Sequence, residues 1–430
     1  MRYPRSLVLP DYSGILPNIS VAWRPISGSS LLVRSSYQWY NDTSVYRLTA
    51  LAMAQQAPLS TSLNLDNTRC GLTLANAFSG CPSVSPDNFA VDPHFRVGYA
   101  QIWQLSMQRD LPAALQATIT YRGTKGTRGV QEILPNTYPF GGANPCPSCP
   151  LGFSYRTSNG NSTREEGILQ LRRRLRNGFT AETVYTFSKS LDDDYQLGGQ
   201  GSVPSASGSA GANSGTSGTS ASSAAPSQIA QDWRNPAGQR GLSSFDQRHT
   251  LTLTAQYTTG MGLGGHTLLS GWRGVAIKDW TALVSLTAAT GTPLSPIYAA
   301  LVPGTSYVGT IRPNVNPGQP LYLSSSAAND RKKFLNVLAY SAPDGGWGNA
   351  RRNSIEGPNQ FGLNASFART FKLKDRYSLE THFDATNVLN RVSYSTWITT
   401  LSPTGSNPLF GTPQSVQSMR KIQATFRLRY

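Results

Sequence analysis

The residues whose types could carry covalent or metal chemistry are four cysteines and four histidines. Cys146 and Cys149 stand in NPCPSCPLG, a C-x-x-C in which a proline follows each cysteine. Cys70 and Cys81 lie far upstream. A structural zinc site takes four Cys or His ligands at ordered spacing. Here His94, His249, His266 and His382 are remote from the single C-x-x-C, so no metal is expected. Neither HExxH nor GxSxG occurs. Glu380, His382 and Asp384 alternate, which puts them on one face of a strand. The simpler reading of that face is a polar wall in contact with water, not a hydrolytic site. Gly260, Gly262 and Gly265 match GxGxxG after a strand-like run, but no helix and second parallel strand follow, so the stretch reads as a turn. No catalytic residue and no cofactor is expected.

The elements that hold these residues read as strands. The last ten residues, KIQATFRLRY, alternate strictly: Ile422, Ala424, Phe426, Leu428 and Tyr430 against Lys421, Gln423, Thr425, Arg427 and Arg429. That period marks a strand with two unlike faces. Ten further segments follow suit: 18–25, 31–40, 95–108, 113–123, 165–176, 179–190, 248–258, 277–291, 361–373 and 377–388. The run 165–176 fits least well, because Arg172, Arg173 and Arg174 are adjacent. Strands of ten to thirteen residues are long for a soluble sheet and suit a tilted bilayer crossing.

The connections alternate short and long. The short ones lie at 26–30, 110–112, Asn177-Gly178, the Gly-rich stretch leading to Trp272, and 374–376. Asn-Gly between strands is a strong hairpin signal. The long ones run 41–94, 124–164, 191–247, 292–360 and 389–419. Short turns on one side and long loops on the other is the plan of an outer-membrane barrel. The fold class expected is therefore all-β, an antiparallel transmembrane β-barrel fragment of about eleven strands, with periplasmic turns and extracellular loops. Charged residues make up only 14% of the chain, against about 25% in ordinary domains. A barrel needs only one apolar face per strand. Aromatic residues such as Trp23, Trp39, Tyr40, Trp103, Trp280 and Phe371 cluster near strand ends, as interfacial girdles do.

The formal charge is +16. A basic balance can signal nucleic acid. Here the arginines alternate with apolar residues, as Arg427 and Arg429 do, and form no helical stripe. They are read as lining a polar lumen or facing anionic head groups, and no nucleic-acid partner is expected. All four cysteines fall on the outer, oxidising side, so two local disulfides are expected, Cys70 with Cys81 and Cys146 with Cys149. The segment 195–231 has no charge and reads as a flexible, low-complexity part of an outer loop.

Several stretches resemble one family, the Oar-like TonB-dependent receptors of the outer membrane. They are ISVAWRP and VRSSYQWYNDTSVY near the start, YTFSKSLDD (185–193) and QDWRNPAGQRGLSSFDQRHTLTLTAQY (231–257). Later come ATGTPLSP (289–296), RPNVNPGQPLY (312–322), GNARRNSIEGPN (348–359) and DATNVLNR (384–391). The resemblance implies a location in the outer membrane, in contact with its lipid and with lipopolysaccharide. It implies a role in substrate uptake or binding. The family couples to TonB through a plug and a TonB box that have no counterpart in residues 1–430. The opening MRYPRSLVLPDYSG has no signal-peptide h-region. The expectation is the C-terminal part of a larger barrel. In the same light the final strand resembles the signal read by the barrel assembly machinery, with Phe426, Leu428 and Tyr430 as its aromatic and apolar residues. A second reading is a surface-exposed binding or adhesion barrel without active transport.

Overall fold

The computed structural model describes residues 8–12, 14–43, 50, 89–133, 135–139, 141–147, 154–193, 230–260, 272, 277–300, 303, 311–323, 333–374, 377–402 and 407–429. Eleven long strands form one meander. They are β1 (Asn18–Trp23), β2 (Leu32–Asn41), β3 (Tyr99–Leu111), β4 (Leu115–Ile133), β5 (Ser154–Arg176), β6 (Phe179–Asp192), β7 (His249–Thr258), β8 (Thr281–Ala289), β9 (Gln360–Lys374), β10 (Tyr377–Thr386) and β11 (Lys421–Arg429). Each is paired antiparallel with its neighbour in sequence order. Two short segments, Phe89–Val91 beside β5 and Gly241–Leu242 beside β6, extend the sheet. No helix among the described residues is long and apolar enough to cross a membrane.

The sheet is open. Among the described residues β1 pairs only with β2, and β11 only with β10. With an odd number of strands the two edges run in the same direction, so closing one on the other would demand a parallel seam. Val8 and Leu9 form no extra strand; Leu9 N–H donates to the Pro93 carbonyl at 3.0 Å.

The Asn-Gly turn forms as its residues dictate. Asn177 and Gly178 have φ of 55° and 73°, the left-handed pair that a two-residue hairpin requires. Register fixes the faces, since residues directly opposite share a side. Leu379, Phe383 and Ala385 of β10 face Leu428, Ala424 and Ile422 of β11, while Glu380, His382 and Asp384 face Arg427, Thr425 and Gln423. The apolar side carries exposed large side chains, Ile422 at 71% and Phe426 at 63%. In water that surface would be a liability; in a bilayer it is the lipid-facing band.

Two expectations need correction. Residues 124–164 are not one long loop: β4 runs on to Ile133 and β5 begins at Ser154, giving strands of 19 and 23 residues. A bilayer crossing needs roughly ten. The extension has polar side chains on both faces, as in Lys125, Thr127, Ser162 and Thr163, so hydrophobic alternation disappears while backbone pairing continues. Register irregularities between Thr127 and Gln131, with Arg128 at φ 61°, blur the period further. Second, the connections 290–359 and 387–420 are not merely surface loops. Their Leu335, Ala339, Tyr340, Ala350, Ile355, Leu401 and Phe410 make a hydrophobic core of their own. One short ladder braces the first connection within itself, Pro293–Leu294 with Ile355–Glu356, and another ties the two together, Ile297–Tyr298 parallel with Thr400–Leu401. The best-buried apolar side chains of the described molecule lie in this cap and not between the strands.

Candidate functional site

The candidate site is this outer loop assembly and its junction with the sheet. Its base is the outer end of β6, where Ser188, Ser190 and Asp192 alternate on the lumen side and are buried. Opposite them lies the segment 230–248. Asn235 caps a short 3₁₀ turn, Pro236–Gln239, by accepting from Gly238 N–H at 3.2 Å. That turn delivers Gln239 into the interior. Further on, the Asp246 carboxylate accepts from Ser190 N–H at 2.6 Å, and Ser243 Oγ lies 2.9 Å from Ser190 Oγ. Burial pushes the Asp246 carboxyl above the usual range against these hydrogen bonds.

Two arginines from the 290–359 connection close the junction. Arg312 is 9% exposed. Its Nε donates to the Ala350 carbonyl at 2.7 Å and its Nη1 to Gln239 Oε1 at 2.9 Å; its backbone N–H donates to Gln231 Oε1 at 2.6 Å. Gln231 in turn donates to the Gly348 carbonyl at 2.9 Å. Burial, and secondarily the nearby Arg352, pull the Arg312 guanidinium down to about 10, which still leaves it charged at neutral pH. Arg352 donates to the Gln239 carbonyl through Nε at 3.0 Å. Through Nη2 it reaches the Asp192 carbonyl at 2.6 Å and the Asp192 carboxylate. Asn353 donates to the Leu242 carbonyl at 2.6 Å and pairs with Ser295. Charge-assisted bonds of this kind, held away from water, are the strong ones.

Close backbone approach makes the junction possible. A Cβ on Gly348 would stand 1.7 Å from the Arg312 carbonyl oxygen, and one on Gly291 would stand 1.9 Å from that of Gly357. The stretches 185–193, 231–257, 289–296, 312–322 and 348–359, scattered along the sequence, thus converge on one polar clasp. Sequence reading singled them out one by one but did not bring them together. Gln231, read as the end of a flexible segment, is one of the clasp's buried anchors. Arginines beside paired Gly and Asn in loops were the available signal.

The lumen side below the clasp is lined by charge. Glu166 bridges Arg122 and Arg164, and Glu380 bridges Arg429 at 2.9 Å and Arg427 at 3.8 Å. Glu380, His382 and Asp384 therefore belong to a polar wall. Among the described residues no group of His, Cys, Asp and Glu could hold a metal.

Of the other singled-out residues, Cys146 is disulfide-bonded and lies where its N–H donates to Asn144 Oδ1 at 2.9 Å. Cys70, Cys81 and Cys149 lie outside the described residues, as does all of 195–231 except its last two residues. Phe426 and Leu428 are exposed on the lipid-facing side of β11, with Phe426 edge-on to Phe383 at 5.9 Å. Tyr430 lies outside the described residues.

Solved structures similar to the chain are outer-membrane transporters and receptors. The outer membrane transporter YddB from Escherichia coli aligns over 95% of this chain and 40% of its own, at 9% identity and a TM-score of 0.48. The pyoverdine receptor FpvA from Pseudomonas aeruginosa PAO1 aligns over 96% and 36%, at 11% identity and 0.42. The ferric-catecholate import receptor Fiu from E. coli K12 aligns over 96% and 34%, at 8% and 0.39. The chain thus spans two fifths or less of each of these proteins. No curated protein matches it in sequence. Residues 1–423 match the model of the outer membrane beta barrel domain. With its two-faced antiparallel meander and segregated loops, the chain belongs to that family, and its place is the outer membrane.

Proposed function

We propose that the chain is the C-terminal part of the barrel of an Oar-like TonB-dependent receptor, and that its loop assembly captures a solute for uptake. The observation that carries this reading is the pairing of a packed, polar-clasped cap with a charged lumen wall directly beneath it. A barrel that served only as a membrane anchor would not need its outer connections to share a core and to be bolted to the lumen side of β6. Energy from TonB would enter through a plug segment supplied outside residues 1–430. Insertion would use the barrel assembly machinery reading Phe426, Leu428 and Tyr430, and lipopolysaccharide would surround the outer rim. In the oxidising exterior the cysteines pair as Cys70–Cys81 and Cys146–Cys149.

The test is accumulation of labelled medium solutes in cells with and without the gene, each in the presence and absence of TonB. Gene-dependent accumulation that vanishes without TonB supports the reading. Surface binding that depends on the gene but is indifferent to TonB would replace it with the adhesion-type barrel.

A further inference from the structure

At two places the lumen face covers an acid and displays the arginines around it. At the loop end, Glu166 of β5 lies between Arg122 of β4, directly opposite it, and Arg164. Both carboxylate oxygens are taken. Oε1 accepts from Arg122 Nε, and Oε2 accepts from Arg164 Nε at 3.0 Å and lies 2.9 Å from Arg164 Nη2. The Glu166 side chain is 3% exposed, while those of Arg122 and Arg164 are 42% and 33% exposed. Two guanidinium charges over one carboxylate leave one positive charge in excess. The Nη groups of Arg122 and the Nη1 group of Arg164 make no hydrogen bond among the described residues.

This station stands at the foot of the cap, with Arg164 opposite Ser190 and Glu166 opposite Ser188. The acids around it are committed elsewhere. Asp192 holds Arg352, and Asp193 accepts from Asn161 N–H at 2.6 Å. Asp246, whose field reaches Arg164, accepts from Ser190 N–H at 2.6 Å. The residues opposite the two arginines on the neighbouring strands, Gln104 and Thr124, are uncharged. The arrangement recurs at the turn end. There Glu380 is largely covered, with Arg429 at 2.9 Å and Arg427 at 3.8 Å, both well exposed, and Arg429 stands opposite Ser378 near the start of β10. A guanidinium with edge donors to spare is shaped to take a carboxylate or a phosphate.

We propose that the solute is an oxyanion, carrying carboxylate or phosphate, and that Arg122 and Arg164 receive it beneath the cap. Arg427 and Arg429 form a second station toward the periplasm. Glu166 is a positioning residue, which orients both guanidiniums from below. The proposal rests on the uptake reading given above and names the class of solute.

The test is equilibrium dialysis at low salt, where surface charge is least screened, with the full chain folded in detergent micelles. The labelled probes are inorganic phosphate, succinate, and the neutral and cationic counterparts of succinate, erythritol and putrescine. The native chain should retain phosphate or succinate and neither counterpart; the anion retained tells which oxyanion the station takes. Arg122→Gln, which leaves Arg164 paired with Glu166, should lower retention about fivefold. Stripping both arginines alone would strand the covered carboxylate, so the second variant is the neutral Arg122→Gln/Arg164→Gln/Glu166→Gln. It should lower retention at least as far, with its β-sheet circular dichroism unchanged. Lys125→Gln/Lys189→Gln removes two charges from the lipid side and should leave retention unchanged. No retention of either anion, equal retention of erythritol or putrescine, or an equal fall in the lysine variant would overturn the proposal. Failure of the uptake reading shows separately, as absent gene-dependent accumulation in cells. Gene-dependent accumulation of neutral solutes alone would spare that reading and overturn this one.

Discussion

Arg352 donates to both the backbone carbonyl and the carboxylate of Asp192, two residues 160 positions apart. The Asp192 side chain is 1% exposed and that of Arg352 15%. The contact fastens the cap to the end of a membrane strand. A buried pair of this sort adds little over a well-packed apolar substitute, but removing one partner strands the other charge.

Arg352→Ala should therefore cost about 3–5 kcal/mol locally. The loss should show as faster proteolysis of the 290–359 connection on intact cells, while the strands remain resistant. Arg312→Ala should act alike, because it unpairs Gln239 and the Ala350 carbonyl. The double variant should fall short of the sum, since both arginines hold the same segments. Full additivity in protease half-lives would mean that the two arginines serve separate units.

Glycine substitutions separate the clasp from general strand packing. Gly348→Ala puts a methyl group against the Arg312 carbonyl, which is backbone and cannot swing away. It should loosen the cap as much as Arg312→Ala does. Gly167→Ala, with nothing within 4 Å of the added carbon, should leave both cap and sheet unchanged. Gly123→Ala is intermediate: its carbon meets the Trp103 ring, which must shift on the lipid side, lowering folding yield in micelles without altering cap proteolysis.

The membrane sheet was legible in sequence to a large degree. Alternation in residues 421–429 and 377–386 gave the faces, Asn177-Gly178 gave a turn, and the number of long strands matches. Legibility ended where the solvent became the same on both faces. Lys125 and Ser162 alternate with nothing apolar, so the outward run of β4 and β5 carries no period. The cap was hidden for another reason. Leu335, Ile355 and Phe410 meet through long-range contacts among short ladders, and no local periodicity announces such a core. Of the clasp, Arg312 and Arg352 were visible as parts of motifs, but their partners lie from 38 to 160 residues away.

The cysteines provide a chemical check. Peptide mass spectrometry without reduction should recover Cys70 linked to Cys81 and Cys146 linked to Cys149. A Cys81–Cys146 link, joining the first long connection to the second, would mean that the two loops are stapled together.

The end of the chain can be tested within a receptor that carries it. Tyr430→Ser should lower outer-membrane levels well below those of Thr425→Ser, whose side chain lies on the lumen side. Equal levels would remove the assembly role of the terminal aromatic residue.

The central claim is sidedness: long connections outside, short turns in the periplasm. Protease added to intact cells measures it most directly. The Gly- and Ser-rich, uncharged segment 195–231 should be cut first, with Lys374–Arg376 protected until the outer membrane is broken. Early cutting at Lys374–Arg376, with 195–231 protected, would contradict the account and turn the sheet over in the membrane.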